Sequence, residues 1–396
     1  MTREERALRQ QEREHRRAVE DVAREASRGP LDVPFLLLTL LLTGVGLIML
    51  FSASFPMAYY EGENPAYYLI RQGIFALGGI VAMLLIGRIN YARYRVVGKY
   101  VLGVAVFLLI LVLVPGVGRT VNGATRWLGF GTLFTFQPSE IAKVGVILYF
   151  AESISMKKGK MRTFKEGILP YAVILGIIAA LMIKEPHLSG TVLILGIGAV
   201  MMFVGGIETV WVGAGIGVAA AGVWAYLSGK VGYNAKRITI WRDPLTNDPE
   251  LMRDAGYQMR QSLLAIGSGG LLGVGLGKSR QKFMYLPERH NDFIFAIICE
   301  ELGLIGATLI MALFALLIIR GYWIALHARD RFGALLAVGV TTQVALQVFL
   351  NIAVVTNLIP NTGISLPFFS YGGTALVIQL AEMGLVLSVS RQMPAN

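Results

Sequence analysis

Long apolar runs with few or no charged residues recur along the chain. The first covers residues 33–60 and contains no Asp, Glu, Lys or Arg. At about 1.5 Å per residue it is long enough to cross the ~30 Å hydrocarbon core of a bilayer as a helix. Eight further runs follow this pattern: 72–87, 100–117, 167–183, 189–207, 209–229, 293–319, 332–358 and 374–389. A tenth run, 139–156, is interrupted by Glu140, Lys143 and Glu152.

The Lys and Arg residues of the short loops decide whether the run 139–156 crosses the membrane. Cytoplasmic loops carry an excess of these residues. With ten spans and the amino terminus inside, most of them lie on the cytoplasmic side, in the loops 88–99, 157–165 and 320–331. With nine spans, most lie outside. The pattern therefore predicts an all-α membrane protein with ten transmembrane helices and both termini in the cytoplasm. One long extracytoplasmic loop, 230–291, joins helices 7 and 8.

The composition is typical of a protein solvated by lipid. Hydrophobic residues make up 55% of the chain, charged residues only 15%, and the mean hydropathy is +0.61. A soluble protein of 396 residues needs more charge to cover its surface. The highly charged head, 1–30, is the exception, and we expect a solvated helix or a disordered cytoplasmic tail there. A single membrane domain, 31–392, follows it.

The net charge of +11 could indicate a nucleic-acid partner, but in a membrane protein its sign matters less than the side on which the charges lie. Cys299 alone cannot form an intrachain disulfide. The basic loop 230–291 suits an anionic partner such as a phosphorylated lipid. The alternative is that its charge has no such meaning, because the positive-inside rule does not apply reliably to a loop of this length. We expect no nucleic-acid partner. The run 267–279 ends in Gly-Lys-Ser, but Leu272 stands where a phosphate-binding loop needs glycine. We therefore predict a flexible or re-entrant segment there and no organic cofactor.

The densest group of polar residues, 285–303, precedes and enters an apolar span. Asn291 and Asp292 stand at the predicted start of that helix, at the outer membrane surface. A carboxylate there serves as a general base, as a ligand to a divalent cation, or simply as a helix cap. Glu300 and Glu301 lie about 12–13 Å deeper along the helix, where a charge needs a partner or a cavity. Structural pairing and function are both open for these two residues.

A second polar group surrounds the interrupted fourth span. Arg126 lies in the preceding outer loop, and Glu140 and Lys143 are three residues apart on one helix face. A salt bridge that makes the helix tolerable in lipid explains Glu140 and Lys143. A polar groove in which Arg126 and Lys143 face a phosphate would account for the three residues together. The salt bridge and the groove are compatible with each other.

The ninth span and the segment after it carry further polar residues. Gln343, Gln347 and Asn351 form a stripe at successive fourth positions, which is typical of hydrogen bonds between helices. The following segment, 357–374, is rich in Pro, Gly and aromatic residues. This composition predicts a packed re-entrant loop able to cover a site.

Four motifs, in this order, give the chain a family resemblance. They are Gly-Ala-Thr-Arg-Trp (123–127) with Gln-Pro-Ser-Glu (137–140), Glu-Pro-His-Leu-Ser-Gly-Thr (185–191), Leu-Pro-Glu-Arg-His-Asn-Asp-Phe-Ile-Phe (286–295) and Leu-Pro-Phe-Phe-Ser-Tyr-Gly-Gly (366–373). The chain resembles the SEDS family of shape, elongation, division and sporulation proteins over residues 36–391. The stretch 285–303 is more similar to the FtsW and SpoVE branches of that family than to RodA.

The resemblance implies a function in the bacterial cytoplasmic membrane. Members of the family are peptidoglycan glycosyltransferases with ten transmembrane helices. They polymerise lipid II, a disaccharide-pentapeptide on undecaprenyl pyrophosphate, into a nascent glycan strand on the extracytoplasmic side. They act with a class B penicillin-binding protein and with other division or elongation proteins. Two rivals from other classes are a transporter that flips lipid II and a scaffold that recruits division enzymes.

The resemblance also implies roles for individual residues. The family's catalytic aspartate matches Asp292, which would take a proton from the acceptor sugar, hold a divalent cation (Mg²⁺ or Mn²⁺), or do both. Arg126 and Lys143 are our candidates for contacts to the pyrophosphate, with Glu140 orienting Lys143.

Arg237 and His290 are further candidates for the substrate groove. The chain departs from the family's common pattern at two positions. Asn291 stands where Thr is common, and His187 stands where Asp is common, so we assign neither residue a role.

Overall fold

The computed structural model describes residues 29–121, 124–130, 134–227, 235–246, 248–252 and 255–393. Residues 1–28 of the predicted charged tail and Gly123 of the first motif lie outside the described residues. Twelve α-helices are described: α1 Val33–Tyr60, α2 Tyr67–Arg88, α3 Tyr94–Val112, α4 Pro138–Lys157, α5 Leu169–Lys184, α6 Leu188–Val204, α7 Thr209–Leu227, α8 Ala235–Arg242, α9 Ala255–Gly269, α10 Ile294–Leu326, α11 Arg331–Val355 and α12 Gly373–Ser390. Short 3₁₀ turns lie at Tyr91–Arg93 and Lys158–Arg162, and a π turn lies at Phe164–Ile168.

Seven of the described helices are long and apolar enough to cross a membrane. They are α1, α2, α3 with its preceding turn, α5 with its preceding turn, α10, α11 and α12. Helices α6 and α7 are shorter apolar helices, and α4 carries the predicted charges. The chain is thus a mostly helical, multi-pass membrane protein.

Helix α11 lies at the centre of the bundle, and α2 and α3 lie at its edge. In the most apolar 18-residue stretch of each helix, 72% of the residues of α11 are buried. The corresponding share is 22% for α2 and 22% for α3 with its preceding turn. Large apolar side chains on the edge helices point outward, among them Ile74 and Phe107. Lipid is the solvent that such side chains require.

The amino-terminal end of α1 is fixed by Asp32. Its carboxylate accepts a hydrogen bond from the Phe35 amide at 2.9 Å, which caps the helix. The Arg320 guanidinium donates to the same carboxylate, with Nη2 2.7 Å from Oδ2. Arg320 belongs to the distal part of α10, so this end of the bundle lies opposite the start of α10.

One part of the fold-class prediction is wrong. The region predicted as an irregular outer loop contains a small antiparallel sheet of three strands, β1 Arg119–Val121, β2 Ala124–Phe130 and β3 Phe134–Phe136. Its registry places Leu128 opposite Phe136. β-Branched and aromatic residues dominate these strands, and such residues favour a pleated surface. The stretch 230–291, predicted as one extracytoplasmic loop between two spans, contains the helices α8 and α9.

Candidate functional site

Asp292 lies in a tight turn immediately before α10. The amides of Asn291 and Phe293 both donate to the Glu288 carbonyl, at 3.0 and 3.2 Å. The helix cap is Phe293, and it makes no side-chain capping hydrogen bond. The predicted capping role of Asn291 or Asp292 is therefore wrong. The turn closes one residue later than the sequence suggested, which leaves the Asp292 carboxylate available for other contacts.

The segment between α11 and α12 holds this turn in place. Asn351 Nδ2 donates to the Asp292 carbonyl at 2.8 Å and to the Ile364 carbonyl at 2.6 Å. Ser370 Oγ donates to the Asn291 carbonyl at 2.8 Å. The turn is thus tied through its backbone to the end of α11 and to the loop before α12.

Gly363 brings a backbone surface against the Asp292 carboxylate. Its φ is +59°, and a Cβ at this position would lie 3.0 Å from Asp292 Oδ2. Glycine meets both requirements because it tolerates positive φ and leaves room for the carboxylate. The Gly363 carbonyl accepts a hydrogen bond from Ser189 Oγ at 2.8 Å, which brings the start of α6 to the same place.

Burial changes the acidity of Asp292. It raises the pKa of this carboxyl to about 6, the negative charge of Glu288 adds to the rise, and the positive charge of Arg126 opposes it. The three charged groups come from two distant segments of the sequence, 288–292 and residue 126. A carboxylate with this pKa is a stronger base than an exposed aspartate and is still largely ionised at neutral pH.

Arg126 is held at the edge of the site by backbone carbonyls. Its Nε donates to the Glu185 carbonyl at 3.2 Å, and its Nη2 donates to the Pro186 carbonyl. The Glu185 carboxylate beside it is buried, and burial raises its pKa to about 8, against the opposing effect of Arg126. Glu185 is therefore mostly neutral at pH 7.

Lys143 lies deeper on the same side of the bundle. Its Nζ is 2.8 Å from Glu140 Oε2, and only 3% of the Lys143 side chain is exposed. This is the predicted salt bridge on one face of α4. The His187 ring is 3.2 Å from Gln137 Nε2 and is near enough to both cations for their charges to act on it. Burial lowers the pKa of His187 to about 3, and both cations lower it further, so the ring is neutral.

The structure places the other two predicted groove residues at the margin. Arg237, on α8, donates from Nη1 to the Asn361 carbonyl at 3.2 Å and so touches the loop that covers Asp292. His290 packs against Tyr68 of α2, with ring centroids 5.2 Å apart. Burial lowers the pKa of His290 to about 4. His290 is therefore neutral and in aromatic contacts, away from Lys143.

Sequence reasoning missed two groups at this site. His187 contacts Gln137 and is influenced by the charges of Arg126 and Lys143, although His187 had been set aside as a departure from the family pattern. Glu382, on α12, accepts a hydrogen bond from Gln343 Nε2 at 2.5 Å, so the polar stripe of α11 continues onto a buried carboxylate. An isolated glutamate in an apolar run was the available signal.

The chain is similar to known proteins over most of its length. Residues 33–394 match the model of the family named for FtsW, RodA and SpoVE, described as cell cycle proteins. The chain belongs to this family. It is 40% identical over 362 residues to the probable peptidoglycan glycosyltransferase FtsW of Geobacter metallireducens, covering 91% of this chain and 95% of that protein. It is 43% identical over 365 residues to the stage V sporulation protein E of Bacillus subtilis, covering 91% and 97%.

Solved structures give the same family. One solved chain superposes with a TM-score of 0.76, at 27% identity, over 91% of this chain and 98% of that chain. Its structure is described as "Structural coordination of polymerization and crosslinking by a peptidoglycan synthase complex". The rod shape determining protein RodA of Thermus thermophilus superposes with a TM-score of 0.65, at 27% identity, over 93% and 99%. The resemblance to the SEDS family is confirmed.

Proposed function

We propose that this chain is a peptidoglycan glycosyltransferase that polymerises lipid II into glycan strands in cell division or sporulation. The observation that carries the proposal is the Asp292 carboxylate, which lies in a turn against Gly363 and within the influence of the Arg126 charge at one end of a membrane bundle. The relatives named as glycosyltransferases, at about 40% identity over most of the chain, support it.

The topology belongs to the same proposal. Helices α1–α7 and α10–α12 are the ten spans, and both termini lie in the cytoplasm. Asp32 and Arg320 mark the cytoplasmic end, and Asp292 faces the extracytoplasmic side together with the region 230–291. A lipid-linked sugar needs this arrangement, because its tail stays in the bilayer while its sugar reacts outside.

The reaction is an inverting displacement at the anomeric carbon. The acceptor's 4-hydroxyl attacks the α-linked donor, a β-1,4 bond forms, and undecaprenyl pyrophosphate leaves. Asp292 takes the hydroxyl proton, a contribution that is typically ~10²–10⁴ in rate. A single displacement needs no covalent nucleophile, so one general base is sufficient.

The cations act on the leaving group. Negative charge builds on the pyrophosphate as the bond breaks, and fixed cations stabilise that charge most where water is excluded. Lys143 is buried and oriented by Glu140, and Arg126 is fixed by backbone carbonyls. Each cation is thus positioned before substrate arrives.

A divalent cation would be held by Asp292 and by oxygens of the pyrophosphate. Among the described residues, no group of three or more His, Cys, Asp or Glu side chains could hold a metal ion. Mg²⁺ commonly binds through one or two carboxylates with substrate phosphates and water, and Asp292 fits this mode. The ion would supply further positive charge at the leaving group.

The test uses the purified protein with a class B penicillin-binding protein, lipid II and Mg²⁺ or Mn²⁺. Glycan products are separated on gels for the wild type, Asp292→Asn and the control Glu63→Gln, which changes an exposed carboxylate in the α1–α2 loop. We expect long strands from the wild type and the control, and none from folded Asp292→Asn.

Two other outcomes have distinct meanings. Equal polymer from Asp292→Asn would remove Asp292 from the chemistry. Absence of polymer from every sample, in a properly formed complex, would favour lipid II transport. A scaffold role predicts that deleting residues 1–29 abolishes septal placement without changing polymerisation in purified form.

A further inference from the structure

Helix α10 is broken at Gly303, a third of the way along its length. The backbone there has φ 67° and ψ −170°, which is not helical. The Glu300 and Glu301 carbonyls accept hydrogen bonds from the Val274 and Gly275 amides, at 2.9 and 3.0 Å. In a regular helix their donors would be the amides of residues 304 and 305. Those two amides donate instead to the carbonyls of residues 270 and 271, at 2.9 and 3.1 Å.

The segment 270–275 therefore replaces the missing turn of α10. Backbone groups inside a membrane protein need internal partners, and this exchange supplies all four. A Cβ on Gly303 would lie 2.3 Å from the Gly273 amide nitrogen, so only glycine permits the approach. The glycine-rich run 267–279 is thus joined to the helix that begins directly after Asp292.

A buried ion pair strengthens this junction. Lys282 Nζ lies 2.9 Å from Glu301 Oε1, and both side chains are completely buried. Ser52 Oγ of α1 donates to the same carboxylate at 2.6 Å from Oε2. Glu301 thus binds the segment before Asp292 and the first helix at one point.

Glu300 binds the neighbouring backbone. Its carboxylate accepts from the Arg280 amide at 2.9 Å and the Gln281 amide at 3.4 Å, and from the Ser279 hydroxyl. Residues 279–282 are consequently fixed to the outer part of α10. The turn that carries Asp292 lies between these two fixed points.

The residues between the fixed points adopt a costly backbone. Met284 has φ 67° and Glu288 has φ 51°, in the left-handed region that non-glycine residues rarely enter. Such conformations persist where the surroundings over-determine them. The contacts at 279–282 and at 300–301 fix the two ends of this stretch, while Asn351 and Ser370 hold its middle.

We propose that Lys282 and Glu301 are positioning residues for Asp292, because the Lys282–Glu301 pair holds the turn that presents this carboxylate to Gly363 and Arg126. The inference rests on the proposed function. The pair lies outside the substrate groove, so it acts on the geometry of the reaction and not on binding of lipid II. Its loss lowers kcat and leaves KM nearly unchanged.

The test is a double-mutant cycle in the complex with the class B penicillin-binding protein. Lys282→Met and Glu301→Gln each leave one buried charge unpaired, whereas the double variant leaves none. We expect each single variant to lower both the melting temperature and kcat, the latter at least tenfold, with KM for lipid II within twofold. The double variant regains the melting temperature but keeps the low kcat.

The matched control is the ion pair of Asp32 and Arg320 at the far end of the bundle, in which the Asp32 side chain is buried. Asp32→Asn with Arg320→Met makes the same kind of change and retains a helix cap, and we expect its kcat to equal that of the wild type. Recovery of both stability and kcat in the Lys282→Met/Glu301→Gln variant would overturn the proposal, as would wild-type kcat in folded single variants. Full activity of Asp292→Asn, measured alongside, would overturn the proposed site itself.

Discussion

At the scale of single residues, the environment of Asp292 determines its chemistry. Burial and Glu288 raise its pKa to about 6, whereas Arg126 lowers it. A general base works only when ionised, so kcat/KM should rise with pH through about 6 and level off above it. Measuring kcat/KM for lipid II polymerisation between pH 5 and 8 tests this expectation.

Variants of Glu288 and Arg126 test the direction in which each charge shifts the pKa of Asp292. Glu288→Gln removes a negative charge that raises the pKa, so the rising limb should move to lower pH. Arg126→Met removes a positive charge that lowers the pKa, so the limb should move to higher pH. Shifts in the same direction for both variants would show that the limb belongs to another group.

The residue scale is also where sequence reasoning was least complete. The chain order predicts that Asp292 follows Pro287 and precedes an apolar span, and the structure has it there. It could not reveal that Gly363 would face the Asp292 carboxylate or that His187 would contact Gln137. Those contacts depend on how distant loops pack, and 71 residues separate Asp292 from Gly363.

At the scale of helices, apolar runs predicted most elements but not their interruptions. Helix α1 has the predicted bounds, Val33–Tyr60, because the charged Asp32 and a polar loop limit its apolar run. The break in α10 has no comparable signal. The apolar run continues through Gly303, and the segment that replaces its hydrogen bonds lies about 30 residues earlier. A non-local backbone exchange of this kind leaves no periodicity to detect.

The break at Gly303 predicts a specific sensitivity. Gly303→Ala places a methyl group against the Gly273 backbone and forces a left-handed alanine, so it should destabilise the fold by about 2 kcal/mol or more. Gly44→Ala in α1 is the matched control, since a Cβ there meets no atom within 4 Å. Thermal unfolding in detergent should show a clear loss for the first variant and none for the second. Equal melting temperatures would mean that α10 can close its own turn.

At the scale of the whole molecule, α4 decides the topology. It carries Glu140, Lys143 and Glu152, and it is the span on which the counts of nine and ten differ. If α4 crosses the membrane, the basic turn after it, Lys158–Arg162, lies in the cytoplasm. If it does not, that turn lies outside. The structure lowers the free-energy cost of placing α4 in the bilayer, because Lys143 and Glu140 form an ion pair with 2.8 Å between Nζ and Oε2.

Cysteine labelling in intact cells distinguishes the two topologies. Cys299 is the single cysteine and is buried, so Cys299→Ser gives a background without thiols. Lys160→Cys reports the turn after α4, where 69% of the lysine side chain is exposed, and Glu63→Cys reports the loop between α1 and α2. An impermeant maleimide should label Glu63→Cys alone, and both positions after the membrane is permeabilised. Labelling of Lys160→Cys in intact cells would place α4 outside the bilayer. The Lys143–Glu140 pair would then face the aqueous side, where an ion pair contributes little and substrate cannot be shielded from water.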